Sequence, residues 1–107
     1  MTTWKFDSKP ISFYIGQYIS GGGTAVEAMY KGEYFLAVSA KMPHAPRLPN
    51  GQFYLKTWSE NEDMTRAMIE EGIIEQVIPP VVAHSGFVTA YAYQFTKLGT
   101  KYCKKID

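Results

Sequence analysis

From Ile11 to Ile19 the odd positions read Ile11, Phe13, Ile15, Gln17 and Ile19, and the even ones Ser12, Tyr14, Gly16 and Tyr18. Bulky apolar residues at period two belong to a strand with one buried face, so the chain is committed to a sheet from its start. Ser20 to Gly23 then supply a turn in which positive φ costs little. Extended character resumes over Thr24 to Tyr30, with Thr24, Val26, Ala28 and Tyr30 on one face. Lys31 and Gly32 form a second tight connection into Glu33 to Ala40, where Tyr34, Leu36, Val38 and Ala40 lie opposite Phe35 and Ala37. The pattern predicts a three-stranded antiparallel meander.

Pro43, Pro46 and Pro49 interrupt the next stretch, Met42 to Gln52. Each proline removes a backbone donor, so this segment reads as a surface loop. Phe53 to Trp58 returns to strand, and Ser59-Glu60-Asn61-Glu62 has the form of a capping box. A helix is therefore expected from about Glu60 to Glu71, packing through Met64, Ala67, Met68 and Ile69 and ending at a left-handed Gly72. Ile73 to Ile78 reads as a short strand stopped by Pro79 and Pro80. Phe87 to Phe95 alternates bulky residues with Val88, Ala90 and Ala92, whose small face could receive the helix. The basic stretch 97–107 reads as a tail that frays. The expected fold is α+β: one domain over 1–107, a mostly antiparallel sheet of five or six strands with one helix packed on one face.

Composition limits the function classes. A chain of 107 residues, 46% apolar and 15% aromatic, buries roughly 65% of its unfolded surface, enough for one modest core. A net charge of +1 excludes a strongly basic nucleic-acid binder, and the apolar content excludes a disordered chain. The first residues carry scattered charges and no apolar run, and no stretch approaches a membrane span, so a cytoplasmic protein without membrane contact is expected. Cys103 is the only cysteine, so no internal disulfide forms and a reducing compartment fits.

Catalytic ingredients are thin. His44 lies in the proline-rich loop, and His84 stands beside Ser85. With Cys103 these could furnish a nucleophile and a base only if the fold gathered them. The run Gly21 to Gly23 is flanked by strands and lacks the Lys-Ser/Thr pair of a phosphate loop. No metal-ligand spacing occurs. The reading is a non-enzymatic protein with no catalytic residue, no metal and no cofactor.

Two features carry more content. Glu60, Glu62, Asp63, Glu70, Glu71 and Glu75 face the single Arg66, whereas 97–107 carries four lysines against one aspartate. The helix dipole accounts for Glu60, Glu62 and Asp63 at the amino end but disfavours Glu70 and Glu71 at the other. With Trp58 alongside, Glu60, Glu62, Asp63, Glu70 and Glu71 form a candidate docking surface for a protein with a basic surface. The second feature is aromatic. Tyr14 and Tyr18 lie opposite the isoleucines, Tyr54 is on a strand with Lys56, and Lys101, Lys104 and Lys105 come near the end. Aromatics interleaved with lysines suit single-stranded nucleic acid. Exposed sheet edges also leave room for a homodimer.

The run Phe53-Tyr54-Leu55-Lys56-Thr57-Trp58-Ser59-Glu60-Asn61-Glu62, then Met68-Ile69-Glu70-Glu71-Gly72-Ile73-Ile74-Glu75 and Ser85-Gly86-Phe87-Val88, resembles an uncharacterised family of small bacterial proteins encoded on plasmids, prophages and other mobile elements. The resemblance implies context rather than chemistry: an accessory protein of a mobile element. Such proteins often act by binding, including inhibition of host defence systems such as CRISPR effectors. The first expectation is thus a protein-binding module that meets a nucleic-acid-processing defence protein through its acidic helix. The alternative is a small single-stranded nucleic-acid-binding or regulatory protein.

Overall fold

A computed structural model describes residues 2–19 and 23–105, Lys105 in its backbone only. Ser20, Gly21 and Gly22 of the expected turn, and the side chain of Lys105, lie outside the described residues. The chain is a single α+β domain with antiparallel sheets and one helix. Its elements are β1 (Trp4–Phe6), β2 (Lys9–Gln17), β3 (Thr24–Tyr30), β4 (Glu33–Ala37) and β5 (Gln52–Tyr54). A 3-10 turn (Ser59–Asn61) runs into α1 (Glu62–Glu70), followed by β6 (Ile74–Gln76), β7 (Val82–Ser85) and β8 (Val88–Phe95). A second 3-10 turn (Gly99–Tyr102) leads to β9 (Cys103–Lys105).

The meander forms as the alternation dictates. β2 pairs antiparallel with β3 from Ile11↔Tyr30 to Gln17↔Thr24, and β3 with β4. Lys31 and Gly32 both take positive φ, 54° and 76°, the turn whose twist matches the strands it joins. The register shifts between Ala28 and Met29, which pair with Leu36 and Tyr34 and leave Phe35 as the extra residue. This bulge turns Tyr34 out to solvent, where the uninterrupted alternation would have buried it, and sets the Phe35 ring against Tyr30.

Two strands extend the meander beyond the sequence expectation. β1 folds back on β2 through Asp7 and Ser8, both at positive φ, a turn built without glycine. β9 runs parallel to β2, pairing Phe13↔Cys103 and Tyr14↔Lys104. Since β3 occupies one edge of β2 throughout, β1 and β9 lie end to end along the other. The stretch expected to fray is therefore folded as far as it is described.

The remaining strands form a second, four-stranded sheet around β8, so the strands divide between two sheets rather than sharing one. β5 flanks β8 on one side, and β6 and β7 share the other. Val77 N–H donates to Ala92 O at 3.0 Å and Ala92 N–H donates to Val81 O at 2.9 Å. One residue of β8 thus holds both ends of the excursion 78–81, which carries Pro79 and Pro80. The Ser39–Leu55 bridge ties the two sheets together.

Side-chain parity then sorts the second sheet into two faces. Phe53, Ile74, Tyr93 and Phe95 turn toward the first sheet and join Ile11, Phe13, Val26, Leu36 and the helical Met64 and Met68 in one core. Phe95 stacks at a tilt between Phe13 and Phe53, with ring centres 5.3 and 5.6 Å away. The opposite face presents Ala83, Ala90 and Ala92 with Tyr54. The sequence assigns this small face to the helix. The structure covers it instead with Trp58 and with Met42, Ala45 and Leu48 of the proline-rich loop. The larger aromatic face of the sheet has already claimed the helix.

The helix packs through Met64 and Met68 with Ala67 beside the core, as its spacing predicts, and ends at Gly72 with φ 73°. Its start differs. Ser59 takes φ 58° and caps nothing, so no capping box forms. Asn61 is fully buried and donates its Nδ2 to Ala37 O, which ties the helix start to the end of β4. This tertiary bond fixes the place of the helix start without capping its N–H groups. Thr65 is buried and donates to Asn61 O, while Ile69, expected inside, is 41% exposed.

Candidate binding surface

The acidic residues occupy the outer side of the helix, but several have partners. Glu60 meets Lys56 at 3.4 Å, and its carboxyl is held below the usual range by its own backbone amide and then by Lys56. Arg66 lies between Glu62 at 3.4 Å and Asp63 at 3.6 Å. Glu71, which the helix dipole leaves unexplained, accepts the indole N–H of Trp4 at 2.9 Å. It thereby fastens β1 to the helix end. Glu70 forms no ion pair among the described residues. Trp58 is half-buried against the alanine face.

The aromatic set splits. Tyr54 is buried on the alanine face and donates its hydroxyl to Pro46 O, so its ring is not open to a base. Lys56 turns to Glu60. Lys101 stands exposed on the second 3-10 turn. Tyr14 and Tyr18 remain on the outer side of β2, both half-buried, in a groove of about 1150 Å³.

That groove results from the pairing of β2 and β3. Tyr14, Gly16 and Tyr18 alternate along the outer face, and Gly16 is opposite Ala25. Between the two rings the floor therefore carries only a hydrogen and a methyl group, over a spacing of about 13 Å along the strand. Lys104, brought beside Tyr14 by the β2–β9 register, places its Nζ 5.8 Å from that ring centre. Lys41 stands 5.8 Å from the Tyr18 ring centre. The Tyr18 hydroxyl and Ser39 Oγ share a 2.7 Å hydrogen bond. Burial raises the Tyr18 pKa, the bond to Ser39 opposes this, and the nearby Glu27 adds to the rise, so the phenol stays neutral at neutral pH. The lining also includes Glu27, and past the end of β2 it extends to Asn50 and to Gln94 and Phe95 of the second sheet.

Lys41 is the residue that sequence reasoning missed. It comes directly after the meander and precedes the proline-rich loop, and nothing local signals that the chain there returns to the end of β2.

The residues considered for nucleophilic chemistry do not meet. His84 and Ser85 are exposed in β7, where His84 Nδ1 is 3.0 Å from Thr89 Oγ1. Cys103 is in β9 of the other sheet, where burial pushes its thiol up to about 12 and keeps it protonated at neutral pH. His44 is exposed in the loop. Among the described residues no cluster of His, Cys, Asp and Glu could hold a metal ion, and no helix is long and apolar enough to cross a membrane.

No family model matches the chain, and no curated protein or solved structure matches it either.

Proposed function

We propose that this chain is a small, non-enzymatic binding protein whose ligand face is the Tyr14–Tyr18 groove, and that its ligand is single-stranded nucleic acid. One observation carries the reading: Tyr14 on β2 and Tyr18 just past its end, separated by the bare Gly16–Ala25 floor, each with a lysine ammonium 5.8 Å from its ring centre. Unpaired bases stack on such rings, and lysines beside them meet the phosphates. The net charge of +1 suits modest affinity that depends on this local arrangement rather than on the field of the whole molecule.

Fluorescence anisotropy with an internally labelled oligothymidine tests it. Binding weakens steeply as salt rises, because phosphate neutralisation releases counterions. Tyr14→Ala and Tyr18→Ala each weaken binding by about 1–3 kcal/mol, the range for one lost base–aromatic stack. Absence of binding at low salt ends the reading.

A second reading keeps the acidic helix as a docking surface for a basic protein, with Ile69 exposed and Glu70 outside every ion pair among the described residues as the favouring observation. In that case the chain is a cytoplasmic accessory protein of a mobile element that blocks a host defence protein. Retention of one protein from a nuclease-treated bacterial lysate, lost on changing Glu62, Asp63 and Glu70 to Gln, supports it. Retention that disappears with nuclease supports the groove. A homodimer would form along β8, which pairs with β7 alone near the exposed Phe87. Sedimentation reads that state directly.

A further inference from the structure

A smaller cavity of about 290 Å³ opens beside the groove and shares Tyr18, Thr24 and Lys41 with it. The proline-rich loop forms one wall, and the buried Phe53 and Tyr54 of β5 also line it. The loop is fastened on both sides of the opening. Tyr54 donates to Pro46 O, and Gly51 N–H donates to Thr24 Oγ1 at 3.1 Å. Half-buried Met42, Ala45 and Leu48 make the loop side apolar.

Lys41, His44 and Arg47 line the cavity and are exposed, and among the described residues no carboxylate lines it, Glu27 lining the adjoining groove. Arg47 takes part in no ion pair or hydrogen bond among the described residues. An apolar pocket with an exposed guanidinium at its rim fits a flat ring that carries a phosphate, since the guanidinium can clamp two oxygens at once. Because the pocket runs up to the buried Tyr54 and shares Tyr18 with the groove, it suits the end of a strand rather than its middle.

We propose that this pocket holds the phosphorylated terminal nucleotide of a single strand lying in the groove, an inference that rests on the groove reading above. The base enters between Tyr18 and the Met42–Leu48 wall, and the terminal phosphate meets Arg47, with His44 and Lys41 beside it.

Four internally labelled oligothymidines of one length test the proposal by anisotropy: 5′-phosphorylated, 3′-phosphorylated, unphosphorylated and covalently closed into a circle. One of the two phosphorylated strands is expected to bind about tenfold or more tightly than the unphosphorylated strand and the circle, the size of one charge-assisted contact. Arg47→Gln is expected to erase that preference while leaving affinity for the circle unchanged, which also shows that the variant is folded. Equal binding of all four strands overturns the pocket and leaves the groove standing. A preference that survives Arg47→Gln also overturns the assignment of the phosphate. If no strand binds, the groove reading fails and this inference fails with it.

Discussion

The two faces of the second sheet are packed by opposite means. On one, Phe53, Tyr93 and Phe95 interdigitate with Phe13, Met64 and Met68 between the sheets and the helix. On the other, Ala83, Ala90 and Ala92 leave a shallow surface that a loop without regular structure can cover, with Met42, Ala45 and Leu48 reaching down to it. The first face buries large side chains and sets the stability of the domain. The second buries little area per residue, so its cover is held by a few specific bonds rather than by bulk.

The sharpest way to separate the two faces is to remove volume from the first. Phe13→Ala should cost about 3–5 kcal/mol, because the void lies among Trp4, Phe95 and the helix, where neighbours cannot all move in. Chemical denaturation with one cooperative transition checks this. Adding volume to the second face is the converse experiment. Ala92→Leu should cost about 1–3 kcal/mol by overpacking and should lift the proline-rich loop, seen as faster amide exchange across 42–52. A loss above that range would mean that the alanine face is as rigidly packed as the aromatic one.

Tyr54→Phe removes only the hydroxyl that reaches Pro46. It should cost about 1 kcal/mol, a denaturation-midpoint shift well below that of Phe13→Ala, and loosen the loop locally. The smallest contrast concerns pH. Burial raises the Cys103 thiol from its ordinary 9.0 to about 12. Below 9 both folded and unfolded chains hold the proton, and the contribution to stability is complete. Between 9 and 12 the unfolded chain binds fewer protons, so stability falls as pH rises. The raised pKa values of Tyr18, Tyr54 and Tyr93 act in the same direction above 10. Cys103→Ala should flatten the part of the decline that begins at the lower pH, as read from denaturation midpoints across this window.

Legibility in the sequence divides along the same line. Ile11, Phe13, Val26, Ala28, Met64 and Met68 announce their burial through spacing alone, since both the alternation and the helical repeat are local. β1 escapes because its turn uses Asp7 and Ser8 where glycine would be the signal, and β7 because Val82 to Ser85 is short and hemmed in by Pro80 and Gly86. The candidate site is half legible. Tyr14 and Tyr18 declare an outer face, but Lys41 reaches Tyr18 only through the folded meander, and Lys104 reaches Tyr14 through a parallel pairing that no local pattern encodes. Tyr54 looks like their companion until the proline-rich loop folds back over it. Glu71 looks like spare charge until Trp4, 67 residues away in sequence, donates to it.

Ala92 grips Val77 with its carbonyl and Val81 with its amide, and the chain between them leaves the sheet and returns to the same strand. In engineering terms this is a neck. A peptide tag, a fluorophore-bearing residue or a short guest sequence placed at Ile78, which is already exposed, would hang from two backbone bonds that its length does not disturb. The neck offers a handle on the second sheet that leaves the groove, the helix and the meander untouched.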